Sequence, residues 1–551
     1  MDPAGHAFTL AQALRDTAAR WPNRGITIFD SRGRACSRHS YAELVRLAET
    51  CARRLAAAGV QPSDIVLIAR PTGWEFLETW LGAIFCGALP LAVAPSRGLG
   101  TAAADLRRIE SLAEALRPRL VLVGDALAEE IESLACPRLS EAAITPRKLH
   151  SITPARSAST AHDIREPALL QLTSGTGGKA RVVVLSHRAV LHNAAALGSA
   201  VTEAAGGIDA VVSWLPLHHD MGLIGALVLS ILTGRELTLL PPSAFLANPL
   251  SWLEQIAPQS RSLSFAPAFA FGFCCERLSS TAPLVDISRW RAAVCGAEMI
   301  SASSMQEFAE RFHAWGFEAA AVRPGYGLAE ATLAVTLDRK GAGIRTRRNP
   351  NGTQSIVCVG APVRETEVRI QAPDDSDRSE RETGEICVRG PGLFSGYLAL
   401  TGGDHDGHDA LRDGWLHTGD LGFLDGGELY VTGRIKEVLS IRGEKFMPDE
   451  IESVAEAMPS GRLRGAAFSI PGHGTEQAIL VVETEDHDPA ILTALNREIR
   501  ARIADTLALP LADLVFVRRG QIPRTTSGKI QRAAARDLYQ HGRLKRLRGA
   551  A

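Results

Sequence analysis

Apolar residues recur along this chain with two alternating periods, and the alternation predicts its architecture. Over residues 9–21, Leu10, Leu14, Ala18 and Trp21 fall at helical spacing, and residues 26–29 then run as a strand. Ser40 and Glu43 form the capping-box pattern of a second helix, with Leu44, Leu47, Ala48, Cys51 and Leu55 on one face and Gly59 as its stop. Strands are predicted at 65–69, 91–94 and 120–123, separated by helices at 72–85 and 103–116. Strands alternating with helices argue for an α/β fold with a parallel sheet covered on both faces.

Residues 145–165 are polar and read as an irregular surface connection. Beyond them the strands end in chemically distinctive loops. Residues 169–172 give way to Thr173-Ser174-Gly175-Thr176-Gly177-Gly178-Lys179, and a β-branched run resumes after Arg181. Glycines permit close backbone approach, while hydroxyls, loop N–H groups and two cations can converge on one anionic group, naturally a polyphosphate. The spacing is not that of a Walker loop. A helix is predicted over 187–197, and a strand at 211–215 then enters Pro216-Leu217-His218-His219-Asp220-Met221-Gly222. Adjacent residues on an extended chain point to opposite faces, which argues against His218 and His219 sharing a metal.

Further strands at 237–240, 262–265, 291–294 and 319–322 lead into loops at 241–243, 267–271, 296–298 and 324–330. Loops that end successive strands converge on one pocket. After residue 357 the strands shorten and hairpin turns appear, implying a small β-rich subdomain at about 357–435. A domain boundary is placed at Lys436, giving units 1–435 and 436–551, the second with strands at 466–470 and 478–483, a helix at 489–507 and a late loop holding Gly528 and Lys529.

Composition narrows the classes. A chain of 551 residues is too long for one core, and 46% hydrophobic with 22% charged residues is ordinary for a soluble globular protein. A net charge of -1 gives no electrostatic reason to expect nucleic acid or an anionic membrane. Nine scattered cysteines without a CxxC pair indicate neither a disulfide framework nor a zinc knuckle, and suit a reducing, cytoplasmic setting. No secretory leader and no run of about 20 apolar residues is apparent, so no transmembrane segment is expected.

Taken in order, TSGTGGKARV, SWLPLHHDMGLIG, CGAEMI, PGYGLAEATL, GWLHTGDLG, TGRIKEVLSIRGEKFMPDEIE and PRTTSGKIQR make the chain resemble the adenylate-forming superfamily of acyl-CoA synthetases, adenylation domains and luciferases. HHDMGLIG, PAFAFGFC and YGLAEATL look most like its fatty acyl-AMP ligases. The resemblance implies ATP and Mg2+ as cofactors, a fatty acid as substrate, and a holo acyl carrier protein as acceptor, with coenzyme A the alternative. It implies that Thr173, Ser174, Gly175, Thr176, Gly177, Gly178, Lys179 and Arg181 hold the β- and γ-phosphates. Glu330 and Thr176 would hold magnesium; Gly296, Ala297, Glu298, Gly325, Tyr326 and Gly327 would frame the adenine; Asp420 and Arg434 would hold the ribose. Lys529 would serve the α-phosphate and acyl carboxylate, with His219 near the mouth of an acyl tunnel that Phe245, Phe269, Phe271, Met221 and Gly222 line. Lys436 would be the hinge of a mobile C-terminal domain.

The sequence departs from the pattern at three places. Ala180-Arg181 replaces the usual Pro-Lys, Ala329 stands where most of the superfamily carries Thr, and residues 336–356 are short for the insertion that fatty acyl-AMP ligases associate with poor use of coenzyme A. A non-catalytic binding protein of the same fold would be expected to have lost some of Glu330, Asp420, Arg434 and Lys529, and all four are present.

Overall fold

Helices form where an apolar face meets a cap. Ser40 accepts the Glu43 N–H while the Glu43 carboxylate accepts the Ser40 N–H, so the helix Tyr41–Ala57 starts at its capping box. His187–Ala205 starts under Ser186 and ends at Gly206, whose φ of 66° suits glycine. It outruns the predicted 187–197 because Ala200, Val201 and Ala205 extend the buried stripe. The segment read as irregular over 145–165 contains a helix, Pro146–Ser151, with Thr145 capping the Lys148 N–H and Pro146 in the first turn.

The computed structural model describes residues 9–95, 102–133, 136–158, 163, 165–173, 181–278, 284–350, 355–398, 410–441, 444–458, 463–471, 476–525 and 528–547. Among these, two large sheets carry the N-terminal part. One has the order Gly396–Tyr397, Arg181–Ser186, Pro167–Thr173, Leu89–Ala92, Ile65–Ala69, Leu120–Val123, Ala143–Ile144. The other runs Ala361–Pro362, Ala334–Leu337, Val322–Gly327, Trp290–Gly296, Ser262–Pro267, Ala210–Ser213, Glu236–Leu239, Gly25–Phe29, Ala35–Ser40, and is parallel from Val322–Gly327 through Gly25–Phe29. The strand expected at 319–322 begins later: Ala319–Ala321 is a 3-10 turn and Val322–Gly327 is the strand, so Gly325, Tyr326 and Gly327 are strand residues. Glycine is required at Gly296, where a β-carbon would lie 2.8 Å from the Gly325 carbonyl oxygen.

The β-rich region is antiparallel, with Glu367–Gln371, Gly384–Arg389, Trp415–Asp425 and Glu428–Arg434 side by side. The C-terminal part packs Pro448–Glu456, Pro489–Leu507 and Arg532–Gln540 on the sheet Arg464–Pro471, Glu476–Thr484, Leu511–Arg518. The chain is thus α/β, with a smaller β-rich region and an α+β C-terminal part. Among the described residues, no apolar cluster mixes residues before Lys436 with residues after it. No helix among them is long and apolar enough to cross a membrane.

One irregularity shapes the site. Directly after His219, residues Met221–Val228 form a fully buried π-helix, opened by the Asp220 carboxylate accepting the Met221 N–H at 2.7 Å. Gly222 lies so close to the Pro216 carbonyl that a β-carbon would overlap it. Helix propensity alone would make Gly222→Ala stabilising by about 1 kcal/mol, but overpacking against backbone costs about 1–3 kcal/mol. The variant is therefore expected to unfold at lower urea than the parent; a higher midpoint would show that the close approach is not a constraint.

Candidate functional site

Three clusters of the expected residues assemble, each from strands or loops far apart in the chain. In the first, the Tyr326 hydroxyl donates to Asp420 Oδ2 at 2.7 Å. Arg434 Nε lies 2.7 Å from Oδ1, oriented as an ion pair that makes no directional hydrogen bond. Asp420 is 3% exposed, and its Oδ1, paired with Arg434, retains a lone pair that a further donor such as a sugar hydroxyl can use. Burial, and then the neighbouring carboxylate, push the Tyr326 phenol well above its usual range, which keeps it a donor. Gly296 and Gly325 meet beside it, and Ala297 holds a left-handed φ of 70°, a conformation rare without glycine.

Asp420 is braced from behind. Thr418 Oγ1 accepts the Asp420 N–H at 3.1 Å and donates to the Ile386 carbonyl at 2.7 Å. Glu385 Oε1 accepts the Gly419 N–H at 2.9 Å, and its Oε2 lies 3.1 Å from His417 Nδ1. Glu385, Cys387 and His417 bring ligand atoms within 4.8 Å of one another. Burial and then Glu385 push the Cys387 thiol up to about 12, and its Sγ donates to Gln371 Oε1 at 3.2 Å, while Glu385 joins His417 to the Gly419-Asp420 turn.

The second cluster gathers around the Lys529 loop. Thr525 N–H donates to the Lys529 carbonyl at 2.7 Å and Thr525 Oγ1 accepts the Lys529 N–H at 3.0 Å, closing the neck of the loop. Gly528 has a φ of 87°, and a β-carbon there would come 2.5 Å from the Phe269 ring. The Phe269 N–H donates to Glu298 Oε1 at 2.7 Å. Burial raises the Glu298 pKa, while the Phe269 N–H and the Lys529 charge oppose the rise. Loss of hydration pushes His219 down to about 4, with Asp220 opposing the shift and Lys529 adding to it. Glu298, expected beside the adenine, thus shares a locus with Lys529, His219 and Phe269.

The third cluster joins Arg181 and Glu330. Thr173 faces Arg181 across the mouth of the Gly-rich loop, with Thr173 Oγ1 donating to the Arg181 carbonyl at 3.4 Å. Ser174, Gly175, Thr176, Gly177, Gly178 and Lys179 lie outside the described residues. Glu330 sits in the 3-10 turn Ala329–Ala331, and the Tyr397 hydroxyl donates to its Oε1 at 2.7 Å. Among the described residues nothing bonds its Oε2, which leaves a hard oxygen suited to Mg2+.

The aromatic residues divide. Phe245 is buried and stacked 3.9 Å from Trp214, and Phe271 is buried among Trp252, Trp290 and Phe308. Phe269 is half-buried, edge-on to Trp214. Met221 and Gly222 open the π-helix behind His219. Lys436 lies exposed in the 3-10 turn Ile435–Glu437.

Several residues that shape these clusters carry no local sequence signal. Glu276, at the end of the helix Ala268–Arg277 that begins beside Phe269, accepts Arg464 at 3.2 Å and Arg519 at 2.6 Å, two arginines of the C-terminal part. Tyr397 follows a Gly/Pro-rich stretch, PGLFSGY, which is the cue that pointed to the other loops. A cavity of about 700 Å³ lined by Arg165, Arg188, Glu365, Glu367 and Arg389 contains none of the expected site residues.

The profile of the AMP-binding enzyme family matches residues 14–398. The chain is similar to a putative acyl-CoA synthetase of Caulobacter vibrioides, 29% identical over 97% of this chain and 96% of that protein. It is also similar to the long-chain-fatty-acid--AMP ligase FadD23 of Mycobacterium tuberculosis, 30% identical over 90% of this chain and 89% of that one. Among solved structures it resembles one from work on fatty acyl-adenylate ligases of E. coli and L. pneumophila, with a TM-score of 0.85, 29% identity, and coverage of 97% of this chain and 98% of that chain.

The depressed His219 predicts a pH signature. The unfolded chain takes up this proton as pH falls through about 6.5, whereas the folded chain resists it until about 4, so stability is lost as pH falls across that interval. Thermal melts of His219→Gln are expected to lose less between pH 7 and pH 5 than the parent; equal losses would place the His219 titration in its ordinary range.

Proposed function

We infer the function from one established point: the chain belongs to the AMP-binding enzyme family. It activates a fatty acid as the acyl-adenylate with release of pyrophosphate, and is a ligase. We propose further that the adenylate is discharged onto the phosphopantetheine thiol of an acyl carrier protein. The observation that supports the site assignment best is the Lys529 loop, seated through Gly528 on Phe269, whose N–H binds Glu298, with the Lys529 charge within electrostatic reach of His219 and Glu298.

Carboxylate and triphosphate are both anions, so the catalytic problem is to bring them together and to offset charge as the carboxylate oxygen bonds to the α-phosphorus and the bond to pyrophosphate breaks. Asp420 accepts the ribose hydroxyls through its open Oδ1, Arg434 offsets the buried carboxylate, and Tyr326 fixes the rotamer of Asp420 while presenting its ring to the adenine. Lys529 approaches the reacting carboxylate and the α-phosphate, and His219, neutral at pH 7, borders them without adding a second cation. Glu330 would hold magnesium, and Thr173 and Arg181 flank the loop that would take the outer phosphates. Magnesium, when bound, screens the charge that builds on the phosphate oxygens. In the second half-reaction the thiol displaces AMP from the acyl carbon, leaving a thioester and a proton.

Lys529 then has to leave. Arg434 is tied to Asp420, whereas Glu437 is tied to Arg532 at 2.6 Å, and Arg532 also grips Asp449 and Glu452, each at 2.7 Å. Between these anchors Ile435 and Lys436 are exposed, which supports Lys436 as the pivot of a mobile C-terminal domain beginning there. The Glu276 contacts to Arg464 and Arg519 would hold the adenylating pose.

The shortness of residues 336–356 relative to the insertion associated with poor use of coenzyme A makes coenzyme A the second candidate acceptor. Single-turnover chemistry with ATP, magnesium and a fatty acid, chased with either coenzyme A or holo carrier protein, separates the two: discharge onto the carrier alone supports the proposal, and efficient acyl-CoA formation overturns it. Lys529→Ala is expected to lower ATP–pyrophosphate exchange by about 100-fold or more yet spare thioester formation from supplied acyl-adenylate. Glu276→Gln is expected to slow exchange about tenfold, equivalent to about 1.4 kcal/mol of docking, with transfer unchanged. Equal loss in both half-reactions would remove the pose-specific role from either residue.

A further inference from the structure

Residues 392–398 cross the gap between the Glu330 turn and the strand that leaves the phosphate loop. At one end Thr332 Oγ1 donates to the Gly392 carbonyl at 2.8 Å and the Phe394 N–H donates to the Glu330 carbonyl at 2.8 Å. At the other, the Ser395 N–H donates to the Val184 carbonyl at 2.9 Å and the Leu398 N–H to the Val182 carbonyl at 2.8 Å, with Tyr397 paired to Val183. The bridge therefore fixes two backbones that otherwise belong to different sheets. Thr332, a β-branched residue at a φ of 66°, is held in a strained turn by the same contacts.

Tyr397 adds side-chain contacts to that bridge. Its hydroxyl donates to Glu330 Oε1 at 2.7 Å, and the Arg181 guanidinium carbon lies 5.0 Å from the centre of its ring. A glutamate side chain has three rotatable bonds, and one O–H donor on a fixed ring restricts it by holding Oε1 and leaving Oε2 without a hydrogen bond among the described residues. The same ring meets the cation that opens the return strand. Burial and the nearby carboxylate raise the phenol pKa, which keeps the proton on the donor.

We propose that Tyr397 is a positioning residue for the magnesium–nucleotide complex: it orients the Glu330 carboxylate and the Arg181 guanidinium with respect to each other, so that the metal and the outer phosphates are held in register. The proposal rests on Glu330 being the metal carboxylate. Tyr397→Phe keeps the ring under Arg181 and removes only the donor, whereas Tyr397→Leu removes both.

The test reads metal binding apart from turnover. Binding of Mn2+-ATP to the full chain would be followed by calorimetry and by the spin-resonance signal of free Mn2+, beside the magnesium dependence of ATP–pyrophosphate exchange. For Tyr397→Phe the Mn2+-ATP dissociation constant and the half-saturating magnesium concentration are expected to rise together, about tenfold, while the fatty-acid KM and thermal midpoint stay within error. Tyr397→Leu is expected to weaken metal–nucleotide binding further. Unchanged metal binding and magnesium dependence in Tyr397→Phe, with Glu330→Gln impaired, would overturn the role of Tyr397 and leave the assignment of Glu330 standing. A Glu330→Gln variant with unaltered metal dependence would remove the metal from Glu330, and the proposal with it.

Discussion

The ion pair between Asp420 and Arg434 is the contact on which most of the site depends. A carboxylate that is 3% exposed needs a countercharge, and the half-exposed Arg434 guanidinium supplies it at 2.7 Å. The two residues are direct cross-strand partners in the antiparallel pair Trp415–Asp425 and Glu428–Arg434. Strand register therefore decides whether the pair exists, since a slip of one strand by one residue would turn its member of the pair to the opposite face. Tyr326 ties the pair to the edge of the parallel sheet, so one carboxylate fixes the junction between the nucleotide-facing strands and the β-rich region.

Charge management explains why the remaining cations come from separate elements. Arg181 stands on the strand after the Gly-rich loop, Arg434 on the hairpin, and Lys529 on the last loop. Three cations held together without an anion would repel one another. Here Arg434 has Asp420, Arg181 packs on the Tyr397 ring, and Lys529 comes near the Glu298 carboxylate. His219, kept neutral by loss of hydration, adds no further repulsion.

Local chemistry was legible in the sequence wherever cause and effect sit a few residues apart. The Ser40–Glu43 capping box, the strands near residues 65–69 and 120–123, and the antiparallel edges of the Gly-rich loop all follow from short-range pattern. Thr145 and Pro146 were legible too, but the polar composition around them masked a helix start. The ordered loops identified the family through their residues rather than through periodicity. What could not be read are contacts set by tertiary placement: Glu276 meets Arg464 and Arg519 at separations of 188 and 243 residues, and Tyr397 meets Glu330 at 67. The same holds for the contact of Glu298 with the Phe269 N–H, 29 residues away in the chain. The π-helix at Met221–Val228 is likewise invisible in a run whose residues are all apolar or glycine, because such a run fits any helical period.

The two anchors around Ile435 and Lys436 have a consequence for rates. Arg434 and Glu437 are held by different bodies, and the three peptide links between them span at most roughly 10 Å. On the proposed rotation about Lys436, a tether that short would confine the moving part to a small volume, so the effective concentration of the Lys529 loop at its seat would stay in the millimolar range or above even when undocked. The seating contacts can then be weak individually, as the partly exposed arginines on Glu276 are, and still re-form quickly after each turnover. Lengthening the tether would act on catalysis through encounter statistics, without touching a single group that contacts the substrate.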